Sequence, residues 1–149
     1  MLLAGCSIFG RSSARPRSRP SPTRPDPVAP LLAGEQALLR TYDAVLARHP
    51  QLLPRLAPVR ADHAAHLQSL QVVSGGTATG GSGAGARGPS PEPAPTVPTQ
   101  PAAALATLRA AERSAAGRAG AACLGAPRSR VALLGSIAAC ESAHLVLLQ

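Results

Sequence analysis

Proline and glycine divide this chain into two segments that cannot form helices and two that can. The 16 prolines fall mainly into two clusters of six, and half of the 14 glycines directly precede the second cluster. Such segments bury too little apolar surface to offset the entropy lost on ordering. We therefore predict a disordered Arg/Pro/Ser-rich tether over residues 7–30 and a long Gly/Pro-rich connection over residues 74–100.

The two remaining blocks, residues 31–73 and 101–149, are rich in Ala, Leu and Arg, which favour helices. A His-Pro pair at 49–50 interrupts the first block, and a Gly-Ala-Pro run at 125–127 interrupts the second. Each block therefore predicts a helical hairpin, and Pro58 is expected to delay or bend the second helix. With one Tyr, one Phe and no Trp, the chain lacks the aromatic residues that strands favour. The predicted fold class is all-α, with four helices.

The apolar stripe of every predicted helix is interrupted by Glu or His. Apolar residues recur at intervals of three and four, which is the spacing of packed helices. Charged carboxylates are rarely buried unless they are paired or bind a metal. The chain has only four Glu and four His, and three of each lie in these stripes: Glu35, His63, His66, Glu112, Glu141 and His144. This predicts that the six side chains meet.

Distances along the chain indicate how they can meet. Glu35 lies as far before the first turn as the two stripe histidines of the second helix lie after it. Glu112 likewise lies about as far before the second turn as Glu141 and His144 of the fourth helix lie after it. Residues three apart share a helix face, as His63 and His66 do. Each hairpin therefore brings its single Glu level with a pair on its partner helix.

This pattern resembles the ferritin-like carboxylate family. That family places a Glu on each of two helices and a Glu-x-x-His motif on each of the other two, in a four-helix bundle. On this resemblance Glu35 and Glu112 match the single glutamates, and Glu141 with His144 matches the motif of the fourth helix. The family has one long crossover between its second and third helices, and residues 74–100 occupy that position.

The second helix departs from the family pattern. His66 matches the family's His, but His63 stands where the family has a Glu that usually bridges two metals. The resemblance covers residues 31–149. The run Leu-Leu-Gly-Ser-Ile-Ala-Ala-Cys-Glu-Ser-Ala-His in the fourth helix looks more narrowly like the actinobacterial ferritin-like domain of unknown function found in exported proteins.

Two functions follow from this resemblance. Three carboxylates and three imidazoles can bind Fe, Mn or Zn, which predicts metal binding or redox chemistry. The alternative is a metal-free bundle that has kept its hydrogen-bonded cluster and serves as a structural or interaction module. Tyr42, on the same face as Glu35, is either a group beside the metal or a core residue. The residues do not decide whether the chain is an enzyme, and a homodimer is left open.

Nucleic acid is not an expected partner. The pI of about 11.4 is the one feature that suggests it. The basic residues are all Arg, however, and part of their charge lies in residues 7–30 rather than on a recognition helix. Almost no aromatic side chain is present to stack on a base.

The first residues, Leu3-Ala4-Gly5-Cys6, resemble the bacterial lipobox. On this reading residues 1–6 are the remnant of a lipoprotein signal, Cys6 is lipidated, and the bundle is anchored outside the cell membrane. Basic residues of the tether would add to the single lipid chain by contacting anionic headgroups. This reading requires translation to start upstream of Met1. The alternative is an accidental match in a cytoplasmic chain. No apolar run reaches the roughly 18 residues of a membrane span.

The cysteines Cys123 and Cys140 are expected to be two buried small residues, unless the third helix breaks at Gly117 or Gly120 and folds back so that they can bridge. In a straight hairpin Cys140 lies level with a position ten residues from Cys123, about 15 Å away along the helix. A disulfide requires Cα atoms within about 7 Å. No cysteine-based metal site and no Cys/His nucleophile pair is predicted.

Overall fold

The structure is a computed structural model that describes residues 27–75 and 94–149. The predicted signal remnant with Cys6, the tether before residue 27 and most of the predicted connection lie outside the described residues. The described part contains no strand, which confirms the all-α prediction. It consists of a short 3-10 turn, Pro50–Leu52, and four helices: α1 (Val28–Arg48), α2 (Leu53–Gly75), α3 (Pro101–Gly125) and α4 (Arg128–Leu147).

The first helix begins at Val28, so the predicted boundary at residue 31 lies inside α1. Pro30 falls in the first turn of α1, where backbone N–H groups have no helical acceptor. A proline is therefore tolerated there. Val28 is fully buried and belongs to the bundle core.

The two hairpin turns lie where the sequence predicts them. The N–H of His49 donates to the carbonyl of Val45 at 2.8 Å, and Pro50 then starts the 3-10 turn. Between α3 and α4 the turn consists of Ala126 and Pro127. The expectation that Pro58 delays the second helix is wrong, because α2 begins at Leu53 and continues through it.

Two clusters of buried apolar side chains fill opposite ends of the bundle. One lies at the end of α1 and the start of α2, and the other at the start of α1 and the end of α2. Leu56 and Ala104 belong to the first cluster, whereas Leu70 and Ala119 belong to the second. The helices α2 and α3 therefore run in the same direction. Helix α1 packs against α2 and α3, and α4 packs against α3 and α2.

His49, the one histidine outside the predicted site, has a structural role. It is buried, and its Nε2 lies 2.8 Å from the carbonyl oxygen of Pro98. Val97 packs against the neighbouring core cluster. These contacts hold the residues that lead into α3 against the turn between α1 and α2.

Helix α4 is long and apolar enough to cross a membrane, by length and composition alone, and no other helix in residues 27–75 and 94–149 passes this test. The same test is passed by core helices of soluble proteins. In this bundle α4 contributes buried side chains to the interior: Leu134, Ile137, Glu141 and His144. Its apolar character is thus explained in part by the core that it builds.

Candidate metal centre

All six predicted site residues lie in one cluster between the two apolar clusters. His63 Nδ1 lies 2.9 Å from Glu35 Oε2, and His63 Nε2 lies 2.7 Å from Glu112 Oε1. These contacts join α1, α2 and α3, and α4 adds Glu141 and His144. Five of the six side chains are buried, and the sixth, His66, is 13% exposed.

Glu112 is the acceptor at the centre of the cluster. Its Oε1 accepts from the Tyr42 hydroxyl and from His63 Nε2, and its Oε2 lies 3.4 Å from His144 Nδ1. Burial would raise the pKa of Glu112, but the hydrogen bonds from His144, His63 and Tyr42 outweigh it and lower this pKa to about 2. Glu112 is therefore an anion whose two oxygens already have three donors. Tyr42 is a core residue, and burial raises the pKa of its hydroxyl.

His63 lies between two carboxylates. Burial alone would lower its pKa, but hydrogen bonds to Glu112 and Glu35 outweigh this effect and raise it to about 9. The ring is therefore an imidazolium at neutral pH, and both of its N–H groups donate. Its positive charge offsets part of the negative charge that the carboxylates bring into the bundle.

Glu35 and Glu141 share a hydrogen bond but differ in protonation. Burial would raise the pKa of Glu35, but contacts with His63, His66 and Glu141 lower it to about 2. For Glu141, burial and the neighbouring Glu35 act in the same direction and raise the pKa to about 8. At neutral pH Glu141 is therefore a neutral acid that donates to the Glu35 carboxylate, as expected for two carboxyl groups in one buried site.

Four of the residues can place one ligand atom each around a single point. Potential ligand atoms of Glu35, His63, His66 and Glu141 lie within 4.8 Å of one another. In the described part of the chain, two buried side-chain atoms lack a hydrogen bond: Glu141 Oε2, and His66 Nδ1, which lies 3.5 Å from Glu35 Oε1. Both belong to this group of four. Buried polar atoms without partners are rare, and a cation at this position would use both.

A small cavity borders the carboxylates of Glu35 and Glu141 on the side between α1 and α3. Gly34 and Arg118 also line it. A Cβ atom at Gly34 would lie 3.2 Å from Arg118 Nη2, so the absence of a side chain leaves room for the guanidinium. Arg118 Nη1 donates to Ser114 Oγ at 2.6 Å. This cavity is the nearest approach from the α1–α3 side to the group of four.

Sequence reasoning missed two residues beside the cluster. Asp62 Oδ2 lies 3.2 Å from His144 Nε2, and Cys140 Sγ lies 3.4 Å from the same nitrogen. Burial raises the pKa of the Cys140 thiol, so this contact does not contradict the prediction of no Cys/His nucleophile pair. Cys140 and His144 are four residues apart on one helix, a spacing that could have revealed them. Asp62 carries no such signal, because its position depends on how α2 packs against α4. Both Cys123 and Cys140 are free.

No family model, curated protein or solved structure matches this chain. The ferritin-like resemblance therefore stays a prediction, based on the residues of the four helices. The geometry of the cluster is the observation on which a functional proposal can be built.

Proposed function

We propose that this chain is a ferritin-like metal-binding protein that holds one divalent cation inside its bundle. The ligands are the group of four: Glu35, His63, His66 and Glu141. The observation that carries this proposal is the pair of buried atoms without hydrogen-bond partners, His66 Nδ1 and Glu141 Oε2. An unsatisfied buried polar group costs about 1–3 kcal/mol, and a cation would satisfy Glu141 Oε2 and replace the long 3.5 Å contact between His66 Nδ1 and Glu35 Oε1.

Glu112 acts in this proposal by positioning His63. Its oxygens are occupied by donors from Tyr42, His63 and His144, so it has little remaining capacity to bind a cation. When His63 Nδ1 loses its proton and turns its lone pair to the cation, Nε2–H still donates to Glu112. Metal-binding histidines usually donate their second N–H to a carboxylate in this way, which fixes the ring orientation.

The donor set indicates which metals fit. Two carboxylates and two imidazoles suit Fe, Mn and Zn. Such an ion supplies Lewis-acid chemistry when bound, and Fe or Mn also supplies redox chemistry. His63 occupies the position at which the resemblance expects a bridging Glu, and this substitution favours one ion over two.

The course of the chain supports the ferritin-like topology. Because α2 and α3 run in the same direction, the chain between Gly75 and Pro101 has to connect opposite ends of the bundle. About 25 residues can span far more than the roughly 35 Å length of such a helix. Val97 and Pro98 lie beside the turn that follows α1, near the start of α3. These positions support the long crossover that the resemblance implies.

Metal content tests the proposal. The full chain is purified after growth with Fe, Mn and Zn, and its metals are measured by elemental analysis. We expect about one ion per chain at this site, so Glu141→Gln and His66→Gln should each contain about one ion fewer than the wild type. The matched control is His49→Gln, which replaces a buried histidine outside the cluster and should keep the wild-type metal content. A wild-type chain without metal, or a metal content that neither ligand variant lowers, would overturn the proposal.

A metal-free structural or interaction module is the second candidate, and one observation favours it. The His63 imidazolium already neutralises part of the carboxylate charge, with Glu35 and Glu112 at 2.9 and 2.7 Å. A bundle that needs no cation for charge balance can persist without one. This candidate predicts a folded wild-type chain with no stoichiometric metal and no change in unfolding temperature when Zn is added.

We further propose that a lipid on Cys6 anchors the bundle to the outer face of the cell membrane. The support is the Leu-Ala-Gly-Cys sequence followed by an Arg/Pro/Ser-rich tether. Expression in a bacterium with the upstream coding sequence included, followed by labelling with a radioactive fatty acid, tests it. We expect a labelled membrane-associated protein and an unlabelled Cys6→Ser variant. Equal labelling of both would contradict the anchor.

A further inference from the structure

We propose a second, more exposed cation site between α2 and α4, formed by Asp62, Cys140 and His144. Its ligands would be a carboxylate oxygen, the Cys140 sulfur and His144 Nε2, which lie within 4.8 Å of one another. A thiolate combined with an imidazole selects Zn²⁺ and other borderline or soft cations over Mg²⁺ or Ca²⁺. This site does not depend on the group of four.

The contacts at His144 Nε2 carry the inference. An imidazole nitrogen holds either a proton or a lone pair. It can therefore donate to Asp62 at 3.2 Å or accept from the Cys140 thiol at 3.4 Å, but it cannot do both. A cation held by the carboxylate, the thiolate and the nitrogen lone pair satisfies all three groups together.

Glu112 prepares His144 for this role from the opposite side of the ring. Its Oε2 lies 3.4 Å from His144 Nδ1, and an ionised carboxylate can only accept. A proton on Nδ1 suits the contact with Glu112, and a cation between Asp62 and Cys140 would then take the lone pair of Nε2. This carboxylate–histidine pairing is the usual support of a metal-binding imidazole.

Exposure distinguishes this site from the buried group of four. The side chain of Asp62 is 52% exposed, whereas that of His144 is 2% exposed. Cys140 is half-buried. Three protein ligands beside solvent leave a fourth tetrahedral position for water, as in zinc sites that exchange or react. The structure thus places a solvent-facing site directly outside the buried cluster, with His144 between them.

Cobalt substitution tests this site without any need for enzymatic activity. Co²⁺ is titrated into the reduced full chain, and the near-ultraviolet charge-transfer band of a thiolate–cobalt bond is recorded. We expect the band in the wild type and its complete loss in Cys140→Ser. The matched controls Cys123→Ser and Cys6→Ser should keep it. Asp62→Asn should weaken Co²⁺ binding about 10-fold or more, a loss typical of altered metal surroundings.

A second measurement needs no variant. Alkylation by iodoacetamide is mapped by mass spectrometry with and without Zn²⁺. Zn²⁺ should slow the modification of Cys140 at least about 10-fold by occupying its thiolate, while Cys123 serves as the internal control. A band that survives in Cys140→Ser, or Zn²⁺ that leaves the alkylation of Cys140 unchanged, would overturn the second site.

Failure of the buried site can be recognised separately. Glu35→Gln removes a ligand on α1 that the second site does not use. If both sites exist, this variant loses the buried ion and keeps the thiolate–cobalt band. A wild type with the band and only one ion per chain contradicts the buried site, whereas one ion without the band contradicts the second site.

Discussion

Two glutamates of the same cluster hold opposite protonation states, and their partners explain the difference. Glu112 accepts from Tyr42, His63 and His144, which stabilises its negative charge. For Glu141, burial and the neighbouring Glu35 carboxylate act together, so that its proton is retained up to a pKa of about 8. Burial favours the neutral acid at both glutamates, and only at Glu112 do donating partners outweigh it.

This difference predicts that replacing Glu by Gln has a large effect on the stability of the metal-free protein at position 112 and a small effect at position 141. Glu112→Gln should lower the free energy of unfolding by about 3 kcal/mol, because it removes the anion that pairs with the buried His63 imidazolium. Glu141→Gln should change it by less than about 1 kcal/mol, because the amide can make the same donation as the protonated acid. Urea unfolding with a chelator present measures both. Equal losses in the two variants would contradict the assigned charge states.

The pKa shifts also predict how the stability of the metal-free protein depends on pH. The contribution of His63 is complete below pH 6.5 and is lost as pH rises toward about 9. Glu141, with its pKa raised from 4.5 to about 8, likewise favours folding less as pH rises. Glu35 and Glu112, with pKa values lowered from 4.5 to about 2, lose their contribution as pH falls.

The unfolding temperature of the metal-free protein should therefore be highest near pH 4.5, fall slowly up to pH 6.5 as the contribution of Glu141 is lost, and fall more steeply above pH 6.5 as that of His63 is lost too. Circular dichroism melts in chelator across this range measure it. The Glu141→Gln variant has no titratable group at position 141. Its unfolding temperature should therefore fall less than that of the wild type as pH rises. A wild-type stability that keeps rising to pH 9 would contradict a positively charged His63.

At the scale of single residues, the small number of Glu and His residues made the cluster predictable. Three of four glutamates and three of four histidines lay in apolar stripes, and their burial could only be explained by mutual contact. The sequence could not reveal which of them are charged, since those states depend on hydrogen bonds across four helices. It also could not reveal Asp62, an exposed residue that reaches His144 only because α2 packs against α4.

At the scale of the helices, the heights of residues within a hairpin were predictable, whereas helix ends and contacts between hairpins were not. Equal distance from a turn predicted which residues of a hairpin lie at one height, because the two helices rise equally per residue. The start of α1 was harder to predict, since Pro30 looks like a break until it is placed in the first turn of a helix. Contacts between the hairpins depend on α1–α3 and α2–α4 packing, for which the chain has no local signal.

Helix α3 offers a direct test of its continuity. It passes without interruption through Gly117 and Gly120, and a Cβ atom at either position would meet nothing within 4 Å. Gly117→Ala and Gly120→Ala should each stabilise the protein by roughly 0.5–1 kcal/mol, because alanine loses less backbone entropy in a helix. Thermal melts of each variant check this. No gain at either position would indicate that α3 is broken there. Gly125→Ala, at the end of α3, is the matched control and should give a smaller gain.

At the scale of the whole molecule, the bundle combines a fold that offsets part of its buried charge with a candidate site that, on the proposed function, would exchange protons for a metal. Two apolar clusters close both ends of the bundle, so the polar layer between them is not needed to start folding. We therefore expect the chain to stay folded in chelator, unlike small zinc domains that unfold without their metal. Metal binding then appears as added stability.

The last prediction follows from this exchange. Below pH 8 both Glu141 and His63 are protonated, with pKa values of about 8 and 9. A divalent cation needs the Glu141 carboxylate and the Nδ1 lone pair of His63, so its binding should release about two protons and tighten roughly 100-fold per pH unit. Calorimetry in buffers of different ionisation enthalpy counts the protons, with Cys140→Ser as background to exclude the second site. Glu141→Gln should release only one proton and bind more weakly. Affinity that does not change between pH 6 and 7 would mean that these two groups are not ligands.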